Sequence, residues 1–129
     1  MHRSVAVLLS PRHRAAWRWL LVALVLVVAW FAFSPATGVD AFENVDKVKH
    51  VLAFGCLATT ASLGWTAPAS ARGSIALSLL LYGAFIEVVQ SAIPGRSASW
   101  FDLVADAVGI AGGLLTVLLA RRYLDRLDA

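Results

Sequence analysis

The sequence predicts an all-α fold, an integral membrane bundle of four transmembrane helices. Three observations predict it. The composition is 60% hydrophobic and only 15% charged, where soluble domains run near about half and about a quarter. In a chain of 129 residues a soluble interior cannot hide that much apolar surface, because small domains bury the smallest fraction of their surface. The apolar residues also fall in four long stretches, with the charges beside and between them. The length allows one domain, so residues 1–129 are assigned to a single four-helix transmembrane unit.

The predicted spans are about 15–34, 50–69, 73–93 and 100–120. Each is close to the ~20 residues that a ~30 Å hydrocarbon core requires. The first is interrupted only by Arg18, whose long stem lets the guanidinium snorkel to the interface. Ser34-Pro35, Pro68 and Pro94-Gly95 separate the spans, and these are residues that stop helices and turn chains. A competing reading makes residues 1–36 a cleaved secretory signal. A signal's apolar region is typically ~7–15 residues and ends in a small-x-small site. This run is longer and ends Phe31-Ala32-Phe33-Ser34-Pro35, which favours a retained helix.

The net charge of +3 and the pI near 9.6 do not indicate nucleic acid, because the basic residues form no stripe interleaved with aromatics. Arg3, Arg12, Arg14 and Arg18 precede or open the first span, Arg72 sits in the loop before the third, and Arg121, Arg122 and Arg126 follow the last. The positive-inside rule places all three regions in the cytoplasm, with both termini inside. The loops Ser34–Lys49 and Pro94–Ser99 then face outward. Trp30 and Trp100 fall at the outer interface and Trp17, Trp19 and Tyr123 at the inner one, the depths of aromatic belts. The expected location is the bacterial plasma membrane, with the lipid bilayer as the first partner. Cys56 is single, so no disulfide framework exists; it reads as a small buried hydrophobe.

The last three spans carry polar groups: Thr59, Thr60, Ser62, Ser78, Glu87, Gln90, Asp102 and Asp106. Lipid cannot satisfy these, so they face other helices. Ala105, Gly109 and Gly113 recur every fourth residue, a small-residue stripe along which another helix backbone can approach closely. Plain packing explains it.

The charged residues converge on one depth. Asp46, Lys47 and His50 open the second span, and His50 shares a face with both others. Glu87 and Gln90 lie near the outer end of the third, Arg96 in the tight loop beyond it, and Asp102 and Asp106 on one face at the start of the fourth. An ionised carboxylate in hydrocarbon costs about 3 kcal/mol or more, so Glu87 and Asp106 need partners or a wet cavity. Arg96 is the expected counter-charge for Asp102 or Glu87, and Lys47 or His50 for Asp46. Asp40, Glu43 and Lys49 read as exposed loop residues.

These residues also carry a resemblance. Asp46-Lys47-Val48-Lys49-His50 looks like the opening D-K-x-x-H of the VanZ-like family. Glu87-Val88-Val89-Gln90, followed by Pro94-Gly95-Arg96-Ser97-Ala98-Ser99 and Asp102, is similar to its E-x-x-Q…P-G-R-x-x-S-x-x-D block. Asp106 stands where that family more often has Asn, and Gly109 where it has Gly. The resemblance covers Asp46 to about Gly113. It implies a bacterial cell-envelope membrane protein of the kind first linked to teicoplanin and glycopeptide resistance, and it implies no particular chemistry or cofactor.

Three readings of the site follow. In the first, Asp46, Lys47, His50, Glu87, Gln90, Arg96, Asp102 and Asp106 form an outward-facing site that binds or shields an anionic lipid or cell-wall precursor, with Arg96 and Lys47 on phosphate. In the second, the protein is an enzyme on a lipid-linked substrate. His50 beside Asp46 is then a general base and Glu87 an acid, with Asp102 a further catalytic candidate; alternatively Asp46, His50, Glu87, Asp102 and Asp106 hold a divalent cation. In the third, the charges are a buried network that fixes helix register. No metal ligand is singled out, and no Ser-His or Cys-His signature stands out.

Overall fold

A computed structural model describes residues 10–34, 45–65, 69–94, 96 and 98–127, with the side chains of residues 69 and 70 left aside. A short 3-10 turn, Pro11–His13, leads into α1 (Arg14–Phe33). It is followed by α2 (Val45–Gly64), α3 (Ala69–Gln90) and α4 (Trp100–Leu127). The described residues are helical with no strand. Asp40 and Glu43, expected as exposed loop residues, lie outside them.

Local chemistry sets the helix ends. Pro11 sits in the entry turn, where its missing N–H costs nothing. α1 stops at Ser34, whose extended backbone (φ −71°, ψ 139°) is the conformation that the following Pro35 imposes. α2 begins at Val45, five residues before the predicted boundary, because Asp46 in a first turn is favoured by the helix dipole. It ends at Gly64, short of Pro68. α4 runs on to Leu127 rather than stopping near 120; the Arg- and Leu-rich tail has good helix propensity, and Arg126 in the last turn suits the dipole.

The chain folds up and down. The α3–α4 connection meets the C-terminal end of α1, through Arg96 and the Ser34 carbonyl. At the opposite end, the Arg18 Nε–H donates to the Gly64 carbonyl (3.0 Å) and an Arg121 Nη2–H to the Ser62 carbonyl (2.8 Å). Two arginines thus satisfy the carbonyls that a helix C-terminus leaves without partners. Arg18 also lies over the Trp65 ring at 4.8 Å.

Three elements are long and apolar enough to cross a membrane: Pro11–Phe33, Ala71–Gln90 and Trp100–Leu127. The polar α2 is the central helix instead. It buries Phe54, Leu57, Ala58, Thr60, Ala61, Ser62 and Gly64, whereas α1 buries no residue fully. α2 packs most extensively on α4 along the expected stripe. A Cβ on Gly109 would strike the Val51 carbonyl oxygen, and one on Gly113 the Gly55 carbonyl oxygen. The outer surface carries Trp19, Leu26, Trp30, Phe31, Val88 and Trp100 exposed, an apolar coat that suits lipid rather than water. Cys56 belongs to this outer surface. The expectation of a buried thiol fails because its helix position points away from α4.

Candidate functional site

The polar groups gather at the end of the bundle where α1 and α3 finish and α2 and α4 begin. His50, one turn into α2, donates its Nδ1–H to Asp106 Oδ1 of α4 across 2.7 Å. An ionised carboxylate accepts only, so against it Nδ1 carries the proton, and in the neutral imidazole Nε2 keeps a lone pair. The side chains are 11% and 0% exposed, so the pair is nearly dry. Phe54, one turn on, lies parallel to the imidazole at 6.4 Å and helps hold the ring. Gly83 of α3 leaves space for Asp106: a Cβ there would strike its Oδ2.

Asp46, His50 and Asp102 form a second cluster on the same imidazole, each offering a ligand atom within 4.8 Å of the others. Lys47 lies within electrostatic range of Asp102. Glu87 interacts electrostatically with Asp102, His50 and Asp106, but its Oε2 accepts the Ser99 N–H at 2.8 Å. Ser99 precedes α4 and its Oγ accepts the Phe101 N–H at 3.3 Å. Glu87 therefore fastens α3 to the capped, electropositive start of α4. Glu87 Oε1 and Asp106 Oδ2 are buried with no hydrogen-bond partner among the described residues.

Arg96 and Gln90 serve the end of α1. An Arg96 Nη2–H donates to the Phe31 (2.7 Å) and Ser34 (3.0 Å) carbonyls, its Nε–H to Ser34 at 3.2 Å, and Gln90 Nε2 to the Ala32 carbonyl at 3.1 Å. Arg96 is not the counter-charge of Asp102 or Glu87. The orphan carbonyls of a helix C-terminus compete for a guanidinium, and these lie within its reach. Likewise His50 takes Asp106 rather than Asp46 as its hydrogen-bond partner, because the close α2–α4 packing brings Asp106 directly against the ring.

Between α1, α2 and α3 lies a cavity of about 340 Å³. Asp46, Lys49, His50, Gln90 and Arg96 supply its polar lining, and Val27, Val28, Phe31, Ala32, Ala53, Phe54 and Ile86 its apolar wall. Lys49 belongs to α2, not to a loop as expected, and it lines this cavity. Lys47, Glu87, Asp102 and Asp106 are not among the lining residues and stand behind or beside His50.

The VanZ/LLP1 family model matches residues 7–121, which includes α1, α2, α3, α4 as far as Arg121 and every site residue above. The chain belongs to the VanZ/LLP1 family. It is 31% identical over 113 residues to an uncharacterized protein of Schizosaccharomyces pombe, covering 84% of this chain and 67% of that one. No solved structure matches. The membership agrees with the motifs at Asp46–His50, Glu87–Gln90 and Arg96–Asp102, and the yeast relative shows that similar chains occur outside bacteria.

Several residues that shape this VanZ/LLP1 site carried no motif signal. Gly83 sits one turn before Glu87, and that spacing is the signal by which a small residue facing α4 could have been found. Tyr82, whose hydroxyl donates to the Val25 carbonyl at 2.7 Å, ties α3 to α1 beside the cavity. An isolated tyrosine in an apolar run has no local pattern that reveals such a partner.

Proposed function

We propose that this chain is a multi-pass protein of the bacterial plasma membrane that holds the anionic headgroup of an envelope lipid or lipid-linked cell-wall precursor. In this reading it crosses the bilayer four times with both termini cytoplasmic. α2 crosses despite its polarity because its polar Thr60 and Ser62 are buried in the bundle while the apolar Val48 and Leu52 face outward. Arg12, Arg14, Arg18, Arg121, Arg122 and Arg126 at one end support a cytoplasmic face there, which turns the cavity toward the outside.

The observation that carries the reading is the cavity's two-sided lining. Lys49 and Arg96 bring cationic groups to its polar lining, while the apolar residues of α1 and Phe54 suit the start of an acyl or prenyl chain. Its volume lies at the small end of ligand pockets, roughly 300–1,000 Å³, enough for a headgroup but not a whole lipid. The test is native mass spectrometry of the detergent-purified protein. Ala53→Phe, which fills the cavity, should abolish retention of anionic phospholipid added in a mixed micelle while the melting temperature holds. Equal retention by parent and variant would count against the reading. In cells, teicoplanin tolerance that depends on expression is the corresponding readout.

The His50–Asp106 bond supports a second reading. With Nδ1 held, Nε2 is placed to act as a general base in hydrolysis or transfer at a lipid-linked phosphate. Turnover that is lost in His50→Gln while lipid is still retained would select this reading.

A further inference from the structure

The charge balance of the site poses a problem for a ligand that is itself anionic. Asp46, Asp102 and Asp106 all lie against one imidazole, and Glu87 lies within electrostatic range of the last two. Lys47 lies within electrostatic range of Asp102 and Lys49 lines the cavity, while Arg96 gives its Nε–H and Nη2–H to the carbonyls of α1. Such a group of carboxylates repels a phosphate unless further positive charge is present.

We propose that Asp46, His50 and Asp102 bind a divalent cation of the Zn2+ or Mn2+ class, whose remaining coordination positions accept a phosphate oxygen of the ligand in the cavity. The inference deepens the headgroup reading above and rests on it for the phosphate. Four observations carry it. The three residues present ligand atoms within 4.8 Å of one another. The Nδ1 of His50 is held by Asp106, which leaves Nε2 as the nitrogen with a lone pair; a carboxylate behind a histidine is the arrangement that orients metal-bound imidazoles and raises their basicity. Asp102 is 4% exposed and lies within electrostatic range of both His50 and Asp46, so a cation among the three would be held away from bulk water. Asp46 and His50 both line the cavity, so an ion on them faces its contents.

The donor set selects the ion. One imidazole and two carboxylates suit Zn2+ or Mn2+ better than Mg2+ or Ca2+, which favour oxygen alone. Zinc bonds to nitrogen and oxygen are ~2.0–2.2 Å, so two ligands at the tetrahedral angle of one ion lie ~3.3–3.6 Å apart. From within 4.8 Å the cluster then closes by up to about 1.5 Å, within reach of side-chain rotation at Asp46, the half-buried member in the first turn of α2. Three protein ligands leave a fourth position open, as catalytic and substrate-binding zinc sites do.

The test uses the full chain in detergent, free of any affinity tag and stripped with chelator. Zn2+ and Mn2+ are titrated against a chromophoric competitor. The expected result is one equivalent of one ion bound, weakened at least ~100-fold by Asp46→Asn and by Asp102→Asn, and about 10–100-fold by Asp106→Asn, the usual loss for a residue behind a ligand. Asp125→Asn, in the last turns of α4 at the opposite end, should bind as the parent does. Asp46→Asn decides if the buried variants fail to fold, and melting of the stripped proteins shows which ones do. Less than one equivalent on the stripped parent, or equal binding by parent and Asp46→Asn, overturns the proposal. Lipid retention by the stripped and the loaded protein separates the two readings. Greater retention when loaded supports the bridge, and equal retention by both forms overturns it while leaving the headgroup reading intact. An ion bound with no lipid retained in either form refutes the headgroup reading and the bridge, and leaves the ion's three ligands standing.

Discussion

Replacing Gly109 by alanine tests the contact that holds the two central helices together. In a helix interior alanine is favoured over glycine by about 1 kcal/mol, so without a neighbour the change stabilises. The neighbour here is backbone. The new Cβ would strike the Val51 carbonyl oxygen and lie 3.0 Å from Gly55 N and 3.1 Å from Val51 C. None of these atoms can rotate away, so α2 and α4 must separate. Overpacking of this kind costs typically about 1–3 kcal/mol, and separation also loosens the tightly packed contacts that hold helices together in lipid, where no hydrophobic force draws them together. The net expectation is a loss of up to about 2 kcal/mol after the propensity gain is subtracted. Gly112, on the same helix, is the internal control: a Cβ there meets nothing within 4 Å, so Gly112→Ala should gain up to about 1 kcal/mol. Thermal melts in one detergent, followed by circular dichroism, compare the three proteins. The opposite signs of the two shifts are the result to look for. If Gly109→Ala melts at or above the parent, α2 and α4 do not meet along this stripe.

Arg96→Gln removes the guanidinium from the carbonyls of Phe31 and Ser34 and should cost about 2 kcal/mol, since each bond involves a charged donor. Faster amide exchange confined to the last turn of α1 would show it, and Arg96→Lys should restore only part, because an ammonium lacks the planar fork. For the topology, Ser91 and Asp125 are both exposed at opposite ends of the bundle. In a Cys56→Ala background, Ser91→Cys should react with an impermeant maleimide in intact cells, and Asp125→Cys only after permeabilisation. Reaction of Asp125→Cys in intact cells would invert the proposed orientation.

Much of this protein was legible in one dimension. Transfer free energy depends on composition along a segment, so the runs around Ala15–Phe33, Gly73–Ile93 and Trp100–Ala120 declared themselves as helices suited to lipid. Backbone rules made Ser34-Pro35 and Pro68 breaks. The cost of an isolated carboxylate in hydrocarbon put Glu87, Asp102 and Asp106 near other polar groups, and the four-residue period of Ala105, Gly109 and Gly113 marked the interface of α4. Each of these follows from spacing or from solvent, which a sequence states directly.

The partners did not. His50 and Asp46 are one turn apart, yet His50 bonds Asp106, 56 residues away. Arg96 serves the end of α1, Glu87 serves the Ser99 N–H, Lys49 turns to the cavity, and Cys56 faces outward. All of these depend on how far each helix is rotated about its axis and how closely its neighbour approaches. Those quantities are set by the steric fit of Gly109 and Gly113 against Val51 and Gly55, and of Gly83 beside Asp106. Such a fit is a property of surfaces in contact, and no local period encodes it.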